Sequence, residues 1–225
     1  TITITETAEG KTGTTAPITV NWVALANFLV TTGTSQTAGV PFDITVTARD
    51  QYYNTVKNYA GNINFKSNNN AVVSFPSGNQ PMSGYNGTRT FSNAIVINPV
   101  GTYWLRAADA AIPVITGTQY NVVVNPAAFN AGQSTLTVDY NTRYAGETVM
   151  ATITPRDAFG NLLGAGKTVT AYVDGNGSDY NGPIVVTDHG NGTYTASIRV
   201  TSTTAANVIS AAVAGSPVTQ TQTIT

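Results

Sequence analysis

The residues of this chain that could do chemistry are few, and their spacing limits what that chemistry would be. Asp174-Gly175-Asn176-Gly177-Ser178-Asp179 sets side-chain oxygens at alternate positions of a glycine-rich loop, the arrangement with which a hard cation such as Ca²⁺ is wrapped. Asp174, Asn176 and Asp179 are therefore the candidate calcium ligands. The loop lacks the bidentate Glu that completes an EF-hand, and a plain solvated loop has the same composition. No other cofactor is expected. Asn86-Gly87-Thr88, Asn176-Gly177-Ser178 and Asn191-Gly192-Thr193 fit the acceptor pattern for N-glycosylation, which makes Asn86, Asn176 and Asn191 candidate sites. Each is also an Asn-Gly turn, where a positive φ is reason enough for the pair. The single histidine, His189, lies between Asp188 and Gly190 with no serine or cysteine nucleophile motif beside it, so a surface turn is expected there rather than a triad.

The elements that must position these groups are strands. Thr, Val, Ile, Asn, Gly and Tyr dominate, and the strong helix formers are scarce. Period-two alternation recurs, as in Phe42-Asp43-Ile44-Thr45-Val46-Thr47-Ala48, where Phe42, Ile44, Val46 and Ala48 share one face of a half-buried antiparallel strand. Charged residues make up 9% of the 225, with a formal net charge of −1, which leaves no electrostatic footprint for nucleic acid or an anionic membrane. No apolar run reaches the length of a spanning helix, so membrane insertion is not expected. With no cysteine, disulfides, thiolate nucleophiles and thiolate metal sites are excluded, and a secreted bacterial or archaeal protein without cross-links fits best.

Sliding the chain along itself reveals its organisation. Ala38 through Asn54 lies over Ala145 through Asn161 at a shift of 107, Asn86-Gly87-Thr88 over Asn191-Gly192-Thr193 at 105, and Gly13 through Asn21 over Gly117 through Asn125 at 104. Residues 24–126 and 127–225 read as two copies of one domain. Residues 1–23 read as the closing hairpin of a preceding copy, with Ile2-Thr3-Ile4-Thr5 as one strand and Ile18-Thr19-Val20 as the other. Each copy holds about seven short alternating segments, the pattern of an antiparallel two-sheet sandwich. In the second they fall near 134–140, 147–155, 167–173, 183–187, 192–200, 206–213 and 218–225. Arg49-Asp50 and Arg156-Asp157 occupy the same place in both copies. A residue demanded by the fold recurs in every copy whereas a catalytic one need occur only once, so Asp50 and Asp157 are expected to cap the following turns.

The second copy resembles filamin-type immunoglobulin repeats, through Asp188-His189-Gly190-Asn191-Gly192-Thr193-Tyr194 and Gly215-Ser216-Pro217. The first resembles the tandem bacterial immunoglobulin-like modules of secreted and surface proteins, through Thr37-Ala38-Gly39-Val40-Pro41-Phe42, Ala48-Arg49-Asp50 with Asn54, and Val124-Asn125-Pro126-Ala127-Ala128. The resemblance implies an all-β fold of tandem immunoglobulin-like β-sandwiches. It specifies function poorly, since such modules serve as stalks, adhesin domains and accessory domains of exoenzymes. The first copy departs from the pattern at Tyr53, where a turn glycine is expected, and Trp22 stands where the other linker has Pro126.

The expected function is that of a non-enzymatic extracellular structural or adhesive repeat protein, part of a cell-surface stalk, sheath or filament. Its expected partners are neighbouring repeats of the same protein or identical subunits, and cell-surface glycans. The opening hairpin, with Ile2, Ile4, Ile18 and Val20, is a candidate segment for strand donation to a neighbouring subunit. The alternative is a carbohydrate-binding or spacer module of a secreted polysaccharide-degrading enzyme. For this, Tyr52, Tyr53, Tyr59, Tyr85, Tyr140, Tyr144 and Tyr180, in or near turns, would offer rings to sugars, unless the rings fill the core. A Lys-Asn isopeptide at Lys57 or Lys167 has no flanking motif to support it.

Overall fold

A computed structural model describes residues 3–5, 12–17, 19–174, 184–200 and 207–225, and every regular element among them is a β-strand. Strands β1 (Thr3–Thr5) and β2 (Thr12–Thr14) form an antiparallel hairpin with Thr3 opposite Thr14, Ile4 opposite Gly13 and Thr5 opposite Thr12. This corrects the expectation that Ile18-Thr19-Val20 is the second strand. Pairing across residues 6–11 closes a shorter loop at lower entropic cost, and Val20 lies 85% exposed outside any strand. Ile2 and Ile18 fall outside the described residues.

The first sandwich comprises β3 (Asn27–Thr31), β4 (Ser35–Thr37), β5 (Phe42–Arg49), β6 (Asn62–Ser67), β7 (Val73–Ser74), β8 (Gln80–Pro81), β9 (Thr88–Ile97), β10 (Gly101–Asp109) and β11 (Thr116–Asn125). One sheet has the order β3-β5-β9-β7 and the other β4-β11-β10-β6-β8. Residues 27–37 thus serve both sheets: β3 pairs antiparallel with β5, and β4 pairs parallel with β11. The alternation read in β5 appears as burial of Phe42, Ile44, Val46 and Ala48. Those side chains meet Ile63, Leu105 and Val122 of the facing sheet in one core. Removing each such aliphatic side chain from water contributes roughly 1.5–3 kcal/mol.

The second sandwich repeats the plan with β12 (Thr135–Val138), β13 (Thr148–Thr154), β14 (Val169–Asp174), β15 (Val186–Asp188), β16 (Tyr194–Arg199), β17 (Asn207–Val213), β18 (Ser216–Pro217) and β19 (Gln222–Ile224). Its sheets run β12-β13-β16-β15 and β14-β17-β18, with β19 also on β17. Seven of the strands fall within a residue of where the alternation places them, β19 lying inside 218–225, and the short β18 precedes that segment. The core gathers Leu136, Ile153, Ile198, Ile209 and Ile224 around Tyr194. The Tyr194 hydroxyl reaches the rim, donating to the Gly164 carbonyl at 2.9 Å and accepting from the Lys167 N–H at 2.9 Å.

Candidate functional site

The repeated Asp-x-x-x-Asn segments, after β5 and after β13, fold into the same hydrogen-bonded unit at the end of each sandwich that receives the linker. In the second, Asp157 is fully buried, and its carboxylate accepts a hydrogen bond from each of four donors. Oδ1 takes the N–H groups of Phe159 and Asn161, both at 2.9 Å. Oδ2 takes the Asn161 side-chain N–H at 2.8 Å and the Ala127 N–H at 2.9 Å. In the first, Asp50 Oδ1 accepts from the N–H groups of Tyr52 and Asn54, and Oδ2 from the Asn54 side chain and the Val23 N–H. The expected turn cap is therefore present in both copies. What the sequence did not disclose is the remaining bond, which fastens the incoming linker to the sandwich.

Hydrogen-bond donors rather than cations hold the charge of both carboxylates. Burial opposes ionisation of Asp157, but the Asn161 side chain and the N–H groups of Ala127, Asn161 and Phe159 outweigh it and keep the carboxyl below the usual range. Asp50 is held low in the same way, against burial, by the Asn54 side chain and the N–H groups of Val23, Asn54 and Tyr52. The fourth turn position requires φ in the left-handed region. Gly160 adopts 82°, and Tyr53 adopts 66° in its place, so the turn persists where the expected glycine is missing and the larger residue carries the strain.

The second unit also reaches across to the first sandwich. The Asn161 amide donates to the Asn98 carbonyl at 2.8 Å, and its oxygen accepts the Val100 N–H at 3.2 Å. The Phe159 ring lies over Gly39, where a Cβ would come within 2.0 Å of the ring edge. Gly39, at φ 73°, satisfies both the backbone conformation and the close approach. Ala127 packs against the first core and Phe129 against the second. The linker is thereby held by Asp157 and by apolar contact with each core, while the Asn161 bridge and the Phe159 contact join the two sandwiches beside it. At the other end, Trp22 packs on the first core and its indole N–H donates to Asn58 Oδ1 at 2.8 Å.

The remaining candidates are dispersed. Asp174 lies in β14, its side chain outside the described residues together with Asn176 and Asp179, so the calcium loop and its glycosylation pattern lie outside the described residues. Asn86 and Gly87 both take positive φ, 50° and 79°, between Tyr85 and Thr88, the two-residue turn that Asn-Gly favours. Asn191 is exposed and its Oδ1 accepts from the Thr193 N–H and hydroxyl. His189 is exposed, with Nε2 2.8 Å from the Thr195 hydroxyl. The Asp188 carboxylate is held low by the N–H groups of Gly166 and Gly190. Lys57 and Lys167 are exposed, away from the core setting of a buried cross-link.

Tyr52 and Tyr53 are exposed together in the Asp50 turn of the first sandwich, Tyr140 and Tyr144 are exposed between β12 and β13 of the second, and Tyr180 lies outside the described residues. Tyr85 lines an open groove of about 580 Å³ with Phe75 and Phe91, in which the Arg89 guanidinium sits 4.5 Å from the Tyr85 ring centroid and 4.2 Å from that of Phe91. Tyr59 instead turns inward and donates to the buried Asp109 carboxylate at 2.6 Å. Burial, then the bond to Asp109 and its charge, pushes the Tyr59 phenol well above its ordinary range. Sequence carried no signal for that pair.

No protein-family model matches the sequence, and no curated protein matches it. Solved structures do. The chain superposes on the FdeC adhesin of Escherichia coli with a TM-score of 0.54 and 19% identity, covering 89% of this chain and 64% of that one. The fold is that of tandem immunoglobulin-like β-sandwiches. InvD of Yersinia pseudotuberculosis aligns at 21% identity over 88% of this chain and 57% of that one, with a TM-score of 0.49. The adhesin InvE of the same species aligns at 16% identity over 87% and 58%, with a TM-score of 0.40. The immunoglobulin-like chain thus spans 64% or less of the length of each of these structures.

Proposed function

We propose that this chain is part of a non-enzymatic extracellular protein whose immunoglobulin-like modules are held in fixed order and orientation, as a stalk that carries an adhesive or structural end away from the cell surface. The observation that carries the reading is the pinned junction. A flexible string of modules needs only a polar linker, whereas here a buried carboxylate holds Ala127, and beside it an amide bridge to Asn98 and Val100 and a ring-on-glycine contact at Gly39 join the two modules directly. Three specific interactions at one junction make physical sense where orientation matters to function. The likeness to the FdeC adhesin supports a surface role, and the recurrence of the Asp-x-x-x-Asn unit in both modules supports a chain that stacks them.

Small-angle X-ray scattering on the 225-residue chain, with ¹⁵N relaxation of each module, tests this directly. A stalk segment gives one elongated, rigid particle in which both modules tumble together. Independent tumbling of the modules, or a hydrolytic activity abolished by a point substitution in either one, would overturn the proposal.

A further inference from the structure

We infer that the pole of the first module bearing Tyr52 and Asn54 is a docking face for a preceding immunoglobulin-like module, seated there as the first module seats on the second. Tyr52 and Asn54 correspond to Phe159 and Asn161 at the shift of 107, each pair within a turn closed by the same aspartate circuit. In the second module both side chains are used by the neighbour: Phe159 on Gly39, and the Asn161 amide on the Asn98 carbonyl and the Val100 N–H. In the first they stand unused. Tyr52 is 67% exposed. The Asn54 amide donates to Asp50 Oδ2, and its oxygen has no hydrogen-bond donor among the described residues.

Two further features make the face specific for a module. Asp50 pins Val23 as Asp157 pins Ala127, so a chain arriving through Trp22 enters at the corresponding position of the first module. The segment that precedes it, Gly13 through Asn21, matches Gly117 through Asn125 at Gly13, Thr14, Val20 and Asn21, and the matched segment ends the strand that leads from the first module into the second. The geometry therefore fixes what the occupant offers: a positive-φ glycine beneath the Tyr52 ring, and a carbonyl and an N–H two residues apart for the Asn54 amide. The first module carries that set itself, in Gly39, Asn98 and Val100.

The inference rests on the reading of the chain as a stack of pinned modules, and its test separates the two. A second copy of residues 24–125, whose buried core lies within residues 28–124, is fused directly ahead of residues 22–225, so that Asn125 replaces Asn21 before Trp22. Docking predicts that the added module tumbles with the rest and that side-chain amide exchange of Asn54 slows by about tenfold or more relative to the unfused chain. It also predicts that Tyr52→Ala with Asn54→Ala releases the added module and leaves the second junction rigid. Asn161 is the internal control. If the added module tumbles freely and Asn54 exchange is unchanged while Asn161 remains protected, the inference falls and the proposed function stands. If Asn161 is unprotected as well, both fall. A shift of the Tyr52 ring resonances on adding chitohexaose or cellohexaose, with no docking of the added module, overturns the inference in favour of a glycan face.

Discussion

Replacing Asp157 with asparagine tests whether the carboxylate or merely the shape of the side chain organises the junction. The substitution keeps the volume and removes one of two acceptor oxygens. If the remaining oxygen stays with the Phe159 and Asn161 N–H groups, the new NH₂ faces the Ala127 N–H and the Asn161 side-chain N–H, donor against donor. Asn161 can turn its amide over to accept from the new NH₂, but its own NH₂ then confronts the Val100 N–H and its oxygen leaves the Asn98 carbonyl without a donor. The opposite orientation of the introduced amide frees the two turn donors instead. The first and last arrangements strand two donors at the buried carboxylate site, and the turned Asn161 strands the Ala127 N–H there while leaving the Asn98 carbonyl and Val100 N–H, on exposed residues, to water. At about 1–3 kcal/mol for each unsatisfied buried group, the loss is about 1–6 kcal/mol. For a module of this size, with about 4–8 °C per kcal/mol, the lower bound is a fall of about 4 °C in the Tm of the second module. Calorimetry gives the Tm, and amide exchange at Ala127 reports the linker. A change below about 2 °C, with Ala127 exchange unaltered, refutes the reasoning, because it would mean that the hydrogen bonds seen at Asp157 contribute nothing net.

Tyr53→Gly is expected to stabilise the first module by about 1 kcal/mol, since the left-handed conformation costs a side-chain-bearing residue about 1–2 kcal/mol and Tyr53 is 70% exposed; urea denaturation reads the gain, and Gly160→Ala should cost the second module a similar amount. Gly39→Ala places a Cβ against the Phe159 ring, so it should change the angle between the modules as seen by residual dipolar couplings, and adding Phe159→Ala should relieve the clash while leaving the backbone strain. Acid should loosen both linkers. Because the Asp50 and Asp157 carboxyls are lower in the folded chain than in the unfolded one, their contribution is complete above the ordinary aspartate value of about 3.9 and is lost as pH falls through the depressed values beneath it. Amide shifts of Val23 and Ala127 followed from about pH 6 to about pH 2 check the sign, and a loss of linker order that begins above about pH 5 would contradict it.

Part of the candidate site was legible in the sequence. The Asp-x-x-x-Asn segments stood out because they recur, and their turn-capping role followed from short-range stereochemistry that Asp and Asn impose on their own backbone. The partners did not stand out. The Asn161 amide meets residues 98 and 100, and Asp157 meets residue 127; nothing in the local pattern distinguishes an Asn that bridges two modules from one that faces water. The contrast between Tyr52 and Phe159 shows the same limit, since both are aromatic residues in the same turn and only one lies over a neighbouring module. The opening hairpin shows it for strands: alternation marks Ile18-Thr19-Val20 as strand-like, yet the pairing goes to Thr12–Thr14, because register depends on which segments close the shorter loop.

The sequence by itself determined the fold class, the repeat and the buried face of a long strand such as β5, because period-two alternation and turn residues act over a few positions and recur in both copies. Tertiary structure alone decided that residues 27–37 divide between two sheets, that Tyr53 takes the conformation of a glycine, that Tyr59 turns inward to Asp109, and that one aspartate in each module holds the linker. Those outcomes depend on hydrogen-bond donors and apolar surfaces brought together from distant parts of the chain. A buried polar group must find a partner wherever the packed fold supplies one, and composition and spacing do not say where that is.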